Sequence, residues 1–285
     1  MQKEGKAGID FGLTNVKIHW KDAEGTPMFL ATPQVSRKSL ASVLEHSGVR
    51  DLCASGVGSV AGFERFRHHR TRGDMMTAEK LNQARGAILL AERDGTKLSA
   101  KKMIVSIGTG TSYVFHDEVA SVYRFPLGNP NGAGTVDGKM ASMGLSSGAA
   151  IDELFADGFE SFDLTLGEAV PSTQGTPQAL YPAAHFAKAV RDPPEHPELC
   201  DKRAAGSALS ELTTGVARDV LIWDMIPAWA GAQDVIIVGM LPSRSKTVRM
   251  LLEISLRSVG KNPIFPADGE YALAYGAYHD IDVGQ

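Results

Sequence analysis

The chain has 285 residues, 43% hydrophobic and 22% charged, with a formal net charge of −4. That length exceeds what one core normally serves and predicts a folded protein with two lobes, residues 1–100 and 101–285. The charge excludes the basic balance that a nucleic-acid partner requires, and no run of about 18 apolar residues is present to span a membrane.

The first organised stretch is Gly8-Ile9-Asp10-Phe11-Gly12-Leu13-Thr14-Asn15-Val16-Lys17. An apolar run reaches an acid, a small-residue turn follows, and the alternation Val16-Lys17-Ile18-His19-Trp20 leads away, which is the pattern of a β-hairpin. At its tip Gly12 lets backbone approach an anion, Thr14 and Asn15 offer donors, and Asp10 can hold a divalent cation through water. An ordinary turn that contains Asp and Gly has the same composition. After a turn at Glu24-Gly25-Thr26, Pro27-Met28-Phe29-Leu30-Ala31-Thr32 returns as a strand. A helix over 39–46 places Leu40, Val43 and Leu44 on one face, and Asp51-Leu52-Cys53-Ala54-Ser55 is a strand running into a glycine turn, Gly56-Val57-Gly58-Ser59. The order β-β-β-α-β predicts a sheet edged by a helix.

The basic stretch Phe66-Arg67-His68-His69-Arg70-Thr71-Arg72 reads as a solvated loop in preference to an anion site, and the adjacent His68 and His69 have no third metal ligand nearby. Over 77–93, Leu81, Ala84, Ile88 and Leu89 form a helical stripe with Thr77 as its cap. Glu79 then falls in the first turn, either a routine first-turn acid or a general base with a hydroxyl beside it. Met103-Ile104-Val105-Ser106-Ile107 is a buried strand that ends in Gly108-Thr109-Gly110-Thr111-Ser112, where backbone N–H groups and three hydroxyls converge on one turn, a much stronger phosphate signal than glycine alone. Tyr113-Val114-Phe115 leaves as the next strand and His116-Asp117-Glu118 reads as its turn.

Residues 126–138 are the richest in glycine and proline, and a helix is expected from about Lys139. Residues 158–200 show short helices and loops. Leu209, Leu212, Val216, Val220 and Trp223 define a long helix over 204–223 that leads to the strand Asp234-Val235-Ile236-Ile237-Val238-Gly239, a loop at Met240-Leu241-Pro242-Ser243, and a helix marked by Val248, Leu251, Leu252, Leu256 and Val259. Strand, glycine, helix is an α/β unit, which binds ligands beyond the carboxyl ends of its strands. Ile264-Phe265 and a small-residue helix, Ala272-Leu273-Ala274-Tyr275-Gly276-Ala277, close the chain. Cys53 and Cys200 have no C-x-x-C or His-paired spacing, and the charged start Met1-Gln2-Lys3-Glu4-Gly5-Lys6 has no signal-peptide core behind it, so reduced thiols and a cytoplasmic setting are expected.

In this order the pieces resemble the actin-like ATPase and sugar-kinase superfamily: phosphate hairpins at 8–17 and 104–113 and an adenosine turn at 235–243. Within it the chain most resembles the type II (eukaryotic-like) pantothenate kinases. Glu79, seven residues before Gly86, is similar to that family's catalytic glutamate in its E-x6-G context. Gly108-Thr109-Gly110-Thr111-Ser112 matches its G-T-G-T-S, Gly132-Ala133-Gly134-Thr135-Val136-Asp137-Gly138 resembles its triple-glycine loop, and Glu270-Tyr271-Ala272-Leu273-Ala274-Tyr275-Gly276-Ala277 resembles its closing helix. Three departures stand out. Leu13 replaces a small residue, Val136 and Asp137 replace two glycines, and Arg124, similar to the arginine beside the substrate, is offset by several residues.

The resemblance implies a two-lobed ribonuclease H-like α/β fold with ATP in a cleft between lobes. Asp10 would orient Mg2+, while Gly12, Thr14, Asn15 and Lys17 together with Gly108, Thr109, Gly110, Thr111, Gly134 and Gly138 would cradle the phosphates and Gly239 would meet adenosine. Glu79 would take the proton from the primary hydroxyl of pantothenate, with Arg124 steadying the phosphoryl group or the substrate. It also implies feedback by coenzyme A or acyl-CoA and a homodimer. Rival readings are another small-molecule kinase of this fold, a dehydratase-activating ATPase holding an iron–sulfur cluster through cysteines, and a degenerate homologue that binds nucleotide or coenzyme A without chemistry.

Overall fold

The computed structural model describes residues 5–12, 15–33, 37–55, 63–69, 74–145, 150–170, 172, 174–176, 182–185, 187–191 and 197–281. The chain divides into two compact units, Met1–Lys97 with Pro266–Gln285, and Leu98–Phe265. The division expected from sequence kept residues 266–285 in the second lobe; they belong with the first, because the closing helix packs on the first unit's sheet.

In the first unit, β1 (Gly5–Phe11), β2 (Asn15–Lys21) and β3 (Pro27–Pro33) form an antiparallel meander, α1 (Arg37–His46) follows, and β4 (Val49–Ser55) and β5 (Arg67–His69) add in parallel, in the order β3-β2-β1-β4-β5. The period of two decides what each face carries. Ala7, Ile9 and Phe11 pack with Ile18, Leu44, Leu52 and Phe63, leaving Gly8 and Asp10 to the opposite face. That face is covered by α2 (Met75–Arg93) and the closing α10 (Ala272–Asp280), which follows a 3-10 turn, Gly269–Tyr271. Three glycines make the covering possible. A Cβ on Gly8 would stand 1.9 Å from the Ala274 carbonyl oxygen, one on Gly86 1.8 Å from that of Ala272, and one on Gly276 1.8 Å from that of Asn82. The two helices and the strand therefore touch backbone to backbone.

Two details correct the sequence reading. The cap of α2 is Asp74, whose side chain accepts from the Thr77 N–H at 3.0 Å and from its hydroxyl at 2.6 Å. Thr77 is thus inside the helix, and Glu79 moves past the first turn. The basic stretch holds a strand, β5, because Asp51 on β4 gathers Arg67 and His69, at 2.8 and 2.7 Å. His68 instead bonds the Phe63 carbonyl at 2.9 Å.

His19, on β2, is buried under α10, stacked on Phe29 and against Tyr275 and Tyr278. Its Nδ1 donates to the Met28 carbonyl at 3.0 Å, and among the described residues its Nε2 has no partner. Burial, aided by His279, Lys21 and Arg93, pulls its pKa from 6.5 to about 3 against the opposing Met28 hydrogen bond. Between those two values the unfolded chain binds a proton there and the folded chain does not, so stability falls as pH drops below about 6.5, by at most about 1.4 kcal/mol per pH unit. Urea unfolding from pH 7 to pH 4.5 is expected to show this slope, and His19→Phe to flatten it.

In the second unit, β6 (Lys101–Ile107), β7 (Thr111–Asp117) and β8 (Val122–Arg124) are antiparallel. They lead to α3 (Ala133–Ser142), α4 (Ala150–Leu154), β9 (Leu164–Thr165), α5 (Leu166–Ala169), β10 (Pro182–Ala184), α6 (Ala187–Arg191) and α7 (Pro197–Asp224). β11 (Asp234–Val238), α8 (Met240–Arg244), α9 (Lys246–Ser258) and β12 (Asn262–Ile264) complete a sheet of order β12-β11-β6-β7-β8, with β11 parallel to both neighbours. Met103, Val105, Tyr113, Leu209, Val216, Val235, Ile237 and Leu252 form its core with α3, α7 and α9. The turn expected at 116–118 begins one residue after β7 ends, the segment expected as a loop at 240–243 is the short α8, and α7 is longer at its start than the stripe required. The expected helix start at Lys139 moves to Ala133, because Gly132 can serve as its cap.

Candidate functional site

Unit 1 brings five polar groups, Asp10, Lys17, Ser55, Glu79 and Asn82, to the neighbourhood of the C-terminal ends of β1 and β4. Asp10 pairs with Lys17 across β1 and β2 and with Ser55 across β1 and β4. Lys17 Nζ lies 3.6 Å from Asp10 Oδ2. Asn82, fully buried on α2, donates from Nδ2 to Ser55 Oγ at 3.0 Å. Glu79 sits one helical turn before Asn82, on the same face of α2. Burial raises the Asp10 carboxyl, with Lys17 opposing through its charge and a hydrogen bond. Burial likewise raises Glu79, the Asp10 charge adds to the rise, and Lys80 opposes it. A buried carboxyl whose neighbour is raised further by its charge is a place where added positive charge is favourable. Gly12 is held close here, since a Cβ on it would lie 2.9 Å from the Asn15 carbonyl oxygen. Asn15 opens β2; Leu13 and Thr14 lie outside the described residues.

Unit 2 builds its turn by interleaving two glycine segments. Thr111 and Asn129 exchange both backbone hydrogen bonds at 2.8 Å, the Ala133 N–H donates to the Gly108 carbonyl at 2.8 Å, and the Gly108 N–H to that of Gly110 at 2.9 Å. A Cβ on Gly132 would stand 2.6 Å from the Gly110 Cα, so only glycine lets the strands cross. Thr111 is buried and its hydroxyl donates to the Asn131 carbonyl at 2.7 Å. It therefore locks the loop, where the sequence reading gave it to phosphate. Thr109 is exposed, and among the described residues the N–H groups of Thr109, Gly110 and Gly134 enter no hydrogen bond. Gly134 is the second residue of α3, so these three amides gather at a helix N-terminus, a favourable place for an anion.

Asp219 on α7 anchors the assembly by accepting from the Asn129 side chain at 2.8 Å and from Tyr113 Oη at 2.9 Å. Burial, then the Asp219 charge and hydrogen bond, raise the Tyr113 phenol. Gly239 follows β11 and caps α8 with φ 120°, and a Cβ there would stand 2.2 Å from the Ile107 carbonyl oxygen, so the chain can cross β6 only as glycine.

Two expected site residues stand elsewhere. Gly138 lies inside α3 with, among the described residues, nothing within 4 Å of a Cβ added to it, and the expected glycine loop at 132–138 is a cap and the first turns of a helix. Arg124 pairs with Phe115, four residues along β7 from Thr111, and its guanidinium lies 5.7 Å from the Phe115 ring centroid. At about 3.3 Å per residue that is roughly 13 Å of strand away from the turn. The sequence reading missed Ser55, Asn82, Asn129 and Asp219, which have no motif of their own; only the register of β1 with β4 and the crossing at Gly132 reveal them.

Two α/β units, each with a five-stranded sheet and a glycine-bearing hairpin, define the actin-like ATPase fold. Solved structures bear this out. Over 98% of this chain and 95% of the other it is similar to the activator of the 2-hydroxyisocaproyl-CoA dehydratase from Clostridium difficile with bound ADPNP, at 13% identity and a TM-score of 0.60. Over 96% of both chains it is similar to component A of the (R)-2-hydroxyglutaryl-CoA dehydratase of Acidaminococcus fermentans, at 18% identity and 0.58. Over 97% and 93% it is similar to glucokinase from Balamuthia mandrillaris in complex with glucose, at 12% identity and 0.51. No family model and no curated protein sequence matches the chain. No described helix is long and apolar enough to cross a membrane.

Proposed function

We propose that this chain is an ATP-dependent phosphotransferase that moves the γ-phosphoryl group of ATP to a hydroxyl of a small molecule. The observation that carries the reading is the pair of carboxylates in unit 1. Glu79 has its proton affinity raised by burial and by Asp10, as a general base for an alcohol requires. In the reaction Glu79 accepts the hydroxyl proton as the oxygen attacks the γ-phosphorus, and ADP leaves. In unit 2 the amides of Thr109, Gly110 and Gly134 receive phosphate oxygens, and Gly239 leaves room for the nucleoside. Phosphoryl transfer asks chiefly for positioning and charge neutralisation, which backbone amides supply without reorganising.

Asp10 fits Mg2+. Among the described residues no group of three or more His, Cys, Asp and Glu is arranged to hold a metal, so one or two protein oxygens and water would complete the shell, as this ion prefers. Mg2+, when bound, supplies neutralisation of phosphate charge. Lys17, whose Nζ lies 3.6 Å from Asp10 Oδ2, would offer its charge to a phosphate oxygen beside such an ion.

The likeness to a glucokinase supports a kinase of this fold without favouring any one acceptor; pantothenate is the acceptor that the sequence motifs imply. The dehydratase-activator likeness supports a second reading, an ATPase that energises a partner protein. Cys53 speaks against a cluster-bearing version, being buried with Ala277 and Ile281. The test is ATP consumption with Mg2+ and pantothenate, pantetheine, N-acetylglucosamine, glucose or water alone. Turnover that requires one of the four acceptors is the expected result, and its identity fixes the substrate. Hydrolysis of equal rate with and without acceptors selects the ATPase reading. ATP binding with no consumption at all overturns both.

A further inference from the structure

Asp219 sits on α7 between Val216 and Val220, two residues of the unit 2 core, and its side chain is 15% exposed. A carboxylate so placed has to have its oxygens satisfied by donors. Oδ2 accepts from the Asn129 side chain at 2.8 Å and from Tyr113 Oη at 2.9 Å, and Oδ1 accepts from Arg218 at 3.2 Å. Apolar residues of the same shape would close this part of the core at no greater cost. What the acid adds is the position of the groups it holds.

It holds the loop behind the glycine turn. The amides that enter no hydrogen bond among the described residues come from two segments, Thr109 and Gly110 from the turn and Gly134 from the start of α3. Residues 126–132 lead into α3 and so set how the two segments aim relative to each other. Most of their bonds run to the turn or within the loop. Thr111 and Asn129 are joined backbone to backbone, the Thr111 hydroxyl donates to the Asn131 carbonyl, and the Asn131 N–H donates to Asn129 Oδ1 at 2.9 Å. These bonds move with the turn. Among the described residues, the bond from Asn129 Nδ2 to Asp219 is the one hydrogen bond that ties residues 126–132 to α7.

We propose that Asp219 is a positioning residue for nucleotide binding: through Asn129 it holds the amides of Thr109, Gly110 and Gly134 in the arrangement that receives phosphate oxygens, without itself touching ATP. This rests on the proposed placement of the ATP phosphates on those amides. A carboxylate suits the task because Oδ2 can accept from both neutral donors while Oδ1 takes Arg218, and bonds to a charged acceptor are about twice as strong as those between neutral groups. An amide in its place has one acceptor oxygen and turns an NH2 group toward other donors.

The test is the Kd for ATP with Mg2+, measured by calorimetry on the full chain well below the melting temperature of each variant. Asp219→Asn and Asn129→Asp are each expected to weaken binding by about tenfold or more, because preorganised donors lose their aim. In Asn129→Asp one oxygen still accepts from the Asn131 N–H while the other faces the Asp219 carboxylate, so attraction becomes repulsion. The exchanged pair, Asn129→Asp with Asp219→Asn, restores donor and acceptor in reversed order and is expected to bind within about threefold of the unmodified chain. Either single variant carries the comparison should the other unfold.

Two controls separate position from stability. Arg218→Gln removes only the partner of Oδ1, at a side chain 63% exposed, and is expected to change the Kd by about twofold or less. Leu256→Ala opens a cavity in the same core and is expected to lower the melting temperature with a Kd within about twofold. Unchanged affinity in the single variants, an exchanged pair that binds no better than they do, or equal weakening in Leu256→Ala overturns the proposal. If the unmodified chain binds no ATP, the nucleotide reading falls and this proposal with it, a result distinct from ATP binding that the variants leave unchanged.

Discussion

Glu79→Gln is expected to lower kcat by about 10²- to 10⁴-fold while the Kd for ATP stays within about twofold, a loss on the order of 3–5 kcal/mol from the transition state alone. Glutamine keeps the shape of the side chain and its place on α2 but cannot accept a proton. The nucleotide's proposed contacts in unit 2, the amides of Thr109, Gly110 and Gly134, do not involve it. The pH dependence follows from the surroundings of Glu79. Burial first and the Asp10 charge second raise its pKa above 4.5. The base form is lost as pH falls through that raised value, so the acid limb of kcat/KM lies above the ordinary glutamate range. Stopped assays of ADP release across pH 4.5–8, together with equilibrium ATP binding, check both statements. Wild-type turnover in Glu79→Gln removes the glutamate from the mechanism.

Gly276→Ala is expected to destabilise unit 1 by about 3 kcal/mol or more, at the upper end of the cost of overpacking. The added methyl would stand 1.8 Å from the Asn82 carbonyl oxygen and 2.9 Å from the Gly86 nitrogen. These are backbone atoms of a packed helix and no rotamer change relieves them, so α10 must withdraw from α2. Asn82 then loses its place under Ser55, and activity falls with stability. Gly138→Ala is the control in the same denaturation series. Among the described residues nothing stands within 4 Å of a Cβ added there, so alanine in that helix is expected to be neutral or to stabilise by up to about 1 kcal/mol. Equal effects of the two substitutions would contradict the backbone contact.

The strands were legible because their signal is local. Ile9 and Phe11 alternate with Gly8 and Asp10, and Met103-Ile104-Val105-Ser106-Ile107 is a continuous apolar run bounded by glycine, so period and punctuation alone define β1 and β6. The helix stripes of α2 and α9 were legible for the same reason. Elements with weak local signals were misread. β5 is three exposed residues, the first held by an acid sixteen positions earlier, and α3 starts at Ala133, behind a glycine cap, because the Gly108 carbonyl, far back in the chain, takes its first N–H.

By itself the sequence determined that the chain is an α/β protein with glycine turns at strand ends, and it brought forward Asp10, Glu79 and the Gly108-Thr109-Gly110 turn as the groups with chemistry to offer. The tertiary structure decided what each of them faces. It set Asp10 beside Ser55 and Lys17, raised Glu79 by burial beside Asp10, turned Thr111 from ligand donor to lock, and moved Arg124 away from the turn. It also joined Asp163, His185 and Thr214 across 51 residues of sequence that show no common pattern. The physical reason is range. Periodicity, capping and turn chemistry act over a few residues, whereas burial, charge coupling and backbone crossing depend on which distant segments the closed fold brings into contact.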